Sequence, residues 1–165
     1  DWKKEVNGKS NINKAIKRSV DVYFDLLSQK VDFENVADVL KQMGLGEKTG
    51  VDLPNESRGI VPSPSYKMQR LKQKWYDGDS IISSIGQGMF LTTPLQIANY
   101  TALIASGKLP IPHFAKQIGN DKLKYSPKDV LNDFQKTKME VLREGMRQVC
   151  SQSGGTAYNM SMIYI

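Results

Sequence analysis

The residues of this 165-residue chain that could perform covalent chemistry stand in three short motifs. Acyl transfer through a serine needs an activated hydroxyl, a nearby base and hydrogen-bond donors for the developing oxyanion. Ser19 stands two residues before Asp21, and Lys48 begins a Lys-Thr-Gly tripeptide. Residues 85–88 read Ile-Gly-Gln-Gly, and two glycines around one polar residue predict a tight turn with close backbone approach. The Ser19 hydroxyl, the charged side chains and the turn at residues 85–88 are therefore candidates for the groups that serine acyl transfer needs.

Each motif also has a simpler interpretation. Ser19 could cap a helix, with Asp21 as a favourable acid in its first turn. The glycine turn could bind a nucleotide, but the sequence has no Gly-x-Gly-x-x-Gly and no Gly-x-x-x-x-Gly-Lys-Ser/Thr pattern. Asp77 and Asp79 could bind a cation, although two carboxylates alone are weak support for a site. We therefore predict no metal and no cofactor.

The charge balance allows a polyanion-binding surface but does not require one. Lys and Arg number 23 against 17 Asp and Glu, a formal net charge of +6. Part of the excess is local, in Lys67, Arg70, Lys72 and Lys74, which form either a solvated face or a patch for an anionic polymer, a membrane surface or nucleic acid. Because the sequence has no nucleic-acid motif, we expect a solvated face and no nucleic-acid partner.

The single cysteine and the single histidine are expected to be structural. Cys150 excludes an internal disulfide, and its place among the apolar positions of a predicted helix predicts burial. His113 lies in a proline-rich connection with no carboxylate or thiol partner at a telling spacing. No apolar run approaches the roughly 20 residues that a membrane helix needs. The polar first residues contain no signal peptide, and we expect them to be internal to a longer protein.

The hydrophobic pattern predicts helices around these motifs in the first half of the chain. Apolar residues recur at helical spacing over residues 11–31, with a break at Ser19 and Asp21, and again over residues 32–43. Residues 44–92 are rich in Gly, Pro, Ser and Asp and carry few helix signals. Such a stretch indicates a long functional loop or unrecognised short elements.

The second half of the chain adds two predicted helices and one strand. Thr93 and Pro94 are typical of an N-cap and a first helical position, and Gly107 ends this helix. Residues 137–140, Thr-Lys-Met-Glu, form a capping box that predicts the start of the last helix. Residues 160–165 predict a β-strand, for which this chain barely provides a partner.

The order of the motifs resembles that of one protein family, the transpeptidase domain of class B penicillin-binding proteins. Ser19-Val20-Asp21 and the residues after it resemble the family's Ser-x-Asp-Thr-Tyr-Phe-Tyr segment, and residues 85–88 resemble its Ile-Gly-Gln-Gly loop. Residues 75–79, 93–96 and 153–157 are similar to its Trp-Tyr-x-Gly-Asp, Thr-Pro-Leu-Gln and Gly-Gly-Thr-Ala segments. The resemblance spans about residues 8–165 and is nearest the elongation-type penicillin-binding protein 2 group.

The resemblance implies a fold, an activity and site residues. The parent fold would be α+β, an antiparallel sheet with helices on both sides, in a peptidoglycan D,D-transpeptidase. Ser19 would relay a proton between the lysine of the nucleophile motif and the leaving group, and Asp21 would position substrate and fix the loop. Gly86, Gln87 and Gly88 would border the active site, with Gln87 bracing the turn.

The resemblance also implies ligands, partners and a location. Peptidoglycan stem peptides would be the substrates, and β-lactams would acylate the same nucleophilic serine. Proteins of cell elongation would be partners at the periplasmic face of the bacterial inner membrane. The anchor would be an N-terminal helix that is not present in this sequence.

Two motifs of the family are missing from the 165 residues. No lysine has a serine three residues before it, so the Ser-x-x-Lys nucleophile motif is absent. Lys48-Thr49-Gly50 spells the third motif, but the Val-Asp-Leu-Pro that follows resembles a structural connection of the family, and we expect the catalytic Lys-Thr-Gly after residue 165.

We therefore expect residues 1–165 to form a partial transpeptidase domain, mainly helical and inactive alone. Apolar helix faces that would meet the missing sheet should favour self-association. The alternative is a non-catalytic helical interaction module, in which Ser19 and Asp21 would be ordinary helix-cap residues.

Overall fold

A computed structural model describes residues 7–161 as eight helices and one small hairpin. In chain order the elements are α1 Ile12–Arg18, α2 Asp21–Ser28, α3 Phe33–Gln42, α4 Pro64–Leu71, α5 Asp77–Ser84, α6 Pro94–Ser106, β1 Gln117–Ile118, β2 Asp121–Lys122, α7 Asp133–Ser151 and α8 Tyr158–Ser161. The strands β1 and β2 pair antiparallel. No helix in this part of the chain is long and apolar enough to cross a bilayer.

The predicted break in the first helical stretch is confirmed. The side chain of Asn11 accepts a hydrogen bond from Lys14 N–H at 2.9 Å and so caps α1. Ser19 ends α1 with a left-handed backbone, φ 53° and ψ 63°. Since this conformation turns the chain, α2 can begin two residues later at Asp21.

Helix α7 holds α1 in place through close contact at a glycine. A Cβ atom at Gly145 would lie 2.9 Å from Ile16 Cδ1 and 3.2 Å from Ile16 Cβ, so a larger residue there would require Ile16 or the helices to shift. Beyond the end of α7, Thr156 N–H donates to the carbonyl of Lys17 at 3.2 Å. These contacts fix the C-terminal end of α1, where Ser19 lies.

Two apolar clusters form the core. The first combines residues of the end of α3, of α6 and of α7 with one connecting residue: Met43, Leu103, Ile104, Met139 and Leu131. The second joins α3 to the connection that follows it and comprises Ala37, Leu45 and Val61. Helix α6, which contributes to the first cluster, is capped by Thr93 at its N-terminus and ends before Gly107, as predicted.

Of the two alternatives for residues 44–92, the structure shows unrecognised short elements, the helices α4 and α5. The side chain of Ser63 accepts from Tyr66 N–H at 3.1 Å, and Pro64 occupies the first turn of α4. Ser-Pro at this position is therefore the same start signal as Thr-Pro at the start of α6.

The last long helix begins earlier than predicted. Asn132, not Thr137, caps α7, in a capping box with Gln135. Thr137 lies inside the helix and donates its hydroxyl to the carbonyl of Asp133 at 2.9 Å. The helix ends at Ser151, shortly before the Gly154-Gly155 pair.

The structure differs from the prediction at Cys150 and at the start of the predicted last strand. Cys150 was predicted to be buried, but its side chain is exposed because it lies on the solvent side of α7. The predicted strand at residues 160–165 is not seen at Met160 and Ser161, which lie in α8. The remaining four residues of that prediction lie outside the described part of the chain.

Candidate active-site cleft

Ser19 and Asp21 line a cleft of about 270 Å³ together with Phe24, Ser84 and Ile85. The first three residues come from the junction of α1 and α2 and from α2, and the last two from the C-terminal end of α5. Because α2 packs against α5, residues that lie about 60 positions apart in sequence meet at one surface. The structure therefore brings the predicted Ser-x-Asp motif next to the start of the glycine turn.

Ser19 does not cap α2. The N-cap position belongs to Val20, and no side chain makes a capping hydrogen bond there. Ser19 is exposed, and Asp21 is half-buried at the first position of α2. Within residues 7–161 neither the Ser19 hydroxyl nor the Asp21 carboxylate forms a hydrogen bond. Both groups thus remain available to a ligand in the cleft, although Asp21 is also an acid in the first turn of α2. The catalytic role of the two residues stays a prediction.

The glycine turn follows directly from α5. Gly86 and Gly88 have φ of 73° and 72°, the left-handed conformation that favours glycine. Gln87 N–H donates to the carbonyl of Ile82 at 3.1 Å, so the main chain of Gln87 secures the turn. Its side chain is exposed and forms no hydrogen bond in the described part of the chain, and a role for that side chain stays a prediction.

A buried ion pair positions α5. Lys67 Nζ lies 2.7 Å from Asp79 Oδ2, and Tyr76 N–H donates to the same carboxylate oxygen at 2.8 Å. Burial raises the pKa of Asp79, but the hydrogen bonds from Lys67 and Tyr76 outweigh it and hold that pKa below its ordinary value. Trp75 also contacts α5, donating its indole N–H to Ser80 Oγ at 2.8 Å.

The predicted solvated face of basic residues is only partly correct. Lys67 is 7% exposed, because its ammonium group turns inward to Asp79, whereas Arg70, Lys72 and Lys74 are exposed. Asp77 is exposed and Asp79 is bound to Lys67, so the two carboxylates are not brought together. No group of three or more His, Cys, Asp or Glu among residues 7–161 is placed to hold a metal ion.

Glu56 ties down the Lys48-Thr49-Gly50 tripeptide. One carboxylate oxygen accepts from Thr49 N–H at 2.7 Å and from the Thr49 hydroxyl at 2.5 Å. The other oxygen accepts from Gly50 N–H at 3.2 Å. Burial raises the pKa of Glu56, yet these hydrogen bonds more than offset it and leave the pKa lowered. The tripeptide lies in a connection after α3, which supports its structural assignment.

Two residues of the cleft, Phe24 and Ser84, were not predicted from the sequence, and Ile85 was predicted only as part of the turn. Phe24 belongs to the family-like segment after Asp21, and Ser84 and Ile85 end α5 just before Gly86. The positions of Phe24 just after Asp21 and of Ser84 just before the glycine turn were usable signals in the sequence. The nearness of Ser84 and Ile85 to Ser19 could not be predicted, since it depends on the packing of α2 against α5.

Comparison with known proteins decides the family. A family model for the penicillin binding protein transpeptidase domain matches residues 1–165. The chain belongs to the penicillin-binding protein transpeptidase family.

Curated members of this family resemble the chain in sequence. The peptidoglycan D,D-transpeptidase MrdA of Acinetobacter baumannii is 46% identical over 114 residues, which are 68% of this chain and 17% of that protein. MrdA of Haemophilus influenzae is 34% identical over 161 residues, 94% of this chain and 25% of that protein. The chain therefore spans no more than about a quarter of the length of these curated transpeptidases.

Solved penicillin-binding proteins share the fold of the chain. The penicillin-binding protein PBP2 from Helicobacter pylori matches with 52% identity and a TM-score of 0.90, over 96% of this chain and 29% of that protein. Pseudomonas aeruginosa PBP2, solved in complex with WCK 5153, matches with 31% identity and a TM-score of 0.88, over 98% of this chain and 37% of that protein. These matches confirm the predicted family and the predicted parent fold, of which residues 7–161 supply mainly helices.

Proposed function

We propose that this chain is part of a peptidoglycan D,D-transpeptidase that cross-links stem peptides through a serine acyl-enzyme and reacts with β-lactams. The observation that carries the proposal is the cleft that Ser19 and Asp21 share with Ile85 of the glycine turn. The family match over residues 1–165 and the curated transpeptidase relatives support it.

Ser19 and Asp21 have separate roles in this proposal. A serine hydroxyl both donates and accepts hydrogen bonds, so Ser19 can pass a proton between the lysine of the nucleophile motif and the leaving group. Asp21 positions the substrate and fixes the loop that joins α1 to α2. In this proposal the turn at Gly86, Gln87 and Gly88, which directly follows Ile85 of the cleft, shapes the path of the bound peptide.

The nucleophile is not among the 165 residues, because none of their lysines follows a serine at the Ser-x-x-Lys spacing. The chain alone therefore has no serine that a β-lactam can acylate by this mechanism. Acylation requires the full-length protein that supplies the nucleophile segment.

Intact mass after incubation with a penicillin tests this proposal. The 165-residue chain should show no adduct, whereas the full-length protein should gain one. In the full-length protein, Ser19→Ala should slow acylation about a hundredfold, because general acid–base groups contribute at least that much. The control is Ser126→Ala, at an exposed position that does not line the cleft, which should react at the wild-type rate. A stoichiometric adduct on the chain alone, or a wild-type rate for Ser19→Ala, would contradict the proposed roles.

We also propose a location and partners for the full-length protein. PBP2 of Helicobacter pylori has been solved as a complex with MreC and matches this chain with 52% identity. By analogy, the protein acts with cell-elongation proteins at the periplasmic face of the inner membrane, held by an anchor outside these residues. Fractionation of cells with co-purification of an MreC-type protein checks both points, and recovery in the cytosolic fraction would contradict them.

A further inference from the structure

A cavity of about 200 Å³ lies between the end of α3, the Lys48-Thr49-Gly50 connection and α6. We call it the lysine cavity, since its lining includes three lysines around one buried asparagine: Lys41, Lys48, Lys128 and Asn99. Leu109 and Ile111 are among its apolar lining residues. The hydrogen bonds between the main chains of Leu109 and Lys128, at 2.8 and 2.9 Å, fix one wall.

Asn99 presents an unused amide to this cavity. Its side chain lies on the buried face of α6, and the residue is only 6% exposed. Within residues 7–161 no hydrogen bond involves the side chain. Buried polar side chains nearly always have a partner, and an amide offers two N–H donors and one acceptor. The side-chain atoms of Asn99 are not among the fully buried polar atoms that lack a partner, so the Asn99 amide is open to the cavity and can bind a ligand from solution.

The lysines make the cavity electropositive. Neither Lys48 nor Lys128 has a carboxylate within 4.0 Å in the described part of the chain, and both side chains are exposed at its border. Lys41 Nζ lies 3.6 Å from Asp38 Oδ1, an exposed pair on the solvent side of α3. Lysine side chains that line a partly enclosed space attract an anion, and Lys48 and Lys128 are the two without a nearby carboxylate.

Two carboxylates near the cavity are already engaged. Glu47 is part of the lining, but its carboxylate lies 3.9 Å from Arg58 Nη1, which balances its charge. Glu56 is close enough to Lys48 for the lysine to lower its pKa further, but the hydrogen bonds from Thr49 and Gly50 are the stronger influence on it. Both of its oxygens point into the main chain of the tripeptide. The net field in the cavity therefore remains positive.

We propose that the lysine cavity binds a small oxyanion, a carboxylate or phosphate group, through the Asn99 amide and the ammonium groups of Lys48 and Lys128. Charge-assisted hydrogen bonds of this kind are about twice as strong as neutral ones. The apolar wall at Leu109 and Ile111 strengthens them by limiting water access. This site gives Lys48 a binding role outside the acyl-transfer chemistry of the Lys-Thr-Gly motif, and it does not depend on the proposed transpeptidase activity.

Nuclear magnetic resonance of the ¹⁵N-labelled chain tests the site with inorganic phosphate and with acetate as probes. The Asn99 side-chain amide signals should shift saturably with at least one anion, at constant ionic strength set with sodium chloride. Their assignment comes from their loss in Asn99→Leu. Tighter binding of phosphate identifies a phosphate site, tighter binding of acetate a carboxylate site, and equal binding a general oxyanion site. The absence of any saturable shift overturns the proposal.

Two double variants with the same net charge distinguish anion binding at the cavity from a general effect of positive charge. Lys48→Ala combined with Lys128→Ala should weaken binding at least about tenfold, because a hydrogen bond to a charged group contributes 1.4 kcal/mol or more. The control removes the same charge at Lys72 and Lys74, which are exposed and do not line the cavity. Equal weakening in both double variants would contradict a defined site. All four substitutions are at exposed positions, so this comparison holds even if Asn99→Leu fails to fold.

Discussion

Lys67 and Asp79 form an ion pair of 2.7 Å between α4 and the first turn of α5, with side chains only 9% and 21% exposed. Removing one partner of a buried pair leaves an uncompensated charge, which costs about 3 kcal/mol or more. Asp79→Ala should therefore lower the free energy of unfolding by about that amount. The double variant with Lys67→Met should lose less than the sum of the two single changes, as urea unfolding can measure.

The control for this pair is the ion pair of Arg143 and Glu140 on α7, in which the Glu140 side chain is 73% exposed. Glu140→Ala should change stability by less than about 1 kcal/mol, since exposed pairs contribute little. If Asp79→Ala had an equally small effect, the ion pair would not be what holds α5 against α4.

The same pair predicts an acid-sensitive fold. The pKa of Asp79 in the folded chain lies below its ordinary value of 3.8. Ionised Asp79 thus stabilises the fold fully above pH 3.8, and this stabilisation is lost as the pH falls through the lower folded value. Between about pH 5 and about pH 3, wild type should lose more unfolding free energy than Asp79→Asn, which has no titrating group at this position. Asp77→Asn removes an exposed carboxylate from the same helical turn and should follow the wild-type curve.

Gln96 joins three segments from a fully buried position on α6. Its amide nitrogen donates to the carbonyls of Glu47 and Arg58, both at 2.7 Å, and its oxygen accepts from Thr93 N–H at 2.9 Å. Gln96→Met keeps the volume but leaves these groups unpaired, so unfolding free energy should fall by about 3 kcal/mol. As the control, Gln69→Met on the exposed face of α4 should leave the unfolding free energy nearly unchanged. An equal loss of unfolding free energy in both variants would show that the hydrogen bonds of Gln96 do not stabilise the fold.

Gly59 lies where another main chain approaches closely. A Cβ atom there would be 2.3 Å from the carbonyl oxygen of Leu91, and φ is 65°. Gly59→Ala should therefore cost about 3 kcal/mol, the sum of left-handed strain and overpacking. Gly119 has φ of 58° with no atom within 4 Å of a Cβ atom. Gly119→Ala should cost only about 1 kcal/mol, and equal losses in thermal unfolding would show that the contact at Gly59 is unimportant.

Local signals at helix ends carried most of what the sequence could predict. Thr93 and Pro94 fixed the start of α6, and the polar break at Ser19 separated α1 from α2. The errors were also local. Ser63 and Pro64 carry the start signal of α4 but stand in a stretch poor in apolar periodicity, and Asn132 begins a capping box before the more conspicuous Thr137. When several residues that can cap a helix lie close together, the sequence does not show at which of them the helix begins, because tertiary packing decides this.

Long-range contacts lay beyond the sequence pattern. Ser84 reaches the cleft only because α2 packs on α5, and the inward turn of Lys67 depends on the position of Asp79. Neither relation has a periodic signature, because both arise from the packing of one helix against another. The family resemblance supplied Ser19 and Asp21 as site residues, but not the neighbours that complete the cleft.

Ser19 combines backbone strain with its proposed chemical role. Its φ of 53° is a left-handed conformation that costs a non-glycine residue about 1 kcal/mol, and such strain is concentrated at functional sites. Ser19→Gly should therefore raise the unfolding free energy by about 0.5 to 1 kcal/mol, while Ser19→Ala, which keeps the strain, should leave it unchanged. Both variants remove the hydroxyl, so both should slow β-lactam acylation of the full-length protein about a hundredfold. Urea unfolding and acylation kinetics measure the two effects separately. A Ser19→Gly protein that is stabilised yet acylates at the wild-type rate would show that the strain is not maintained for proton transfer.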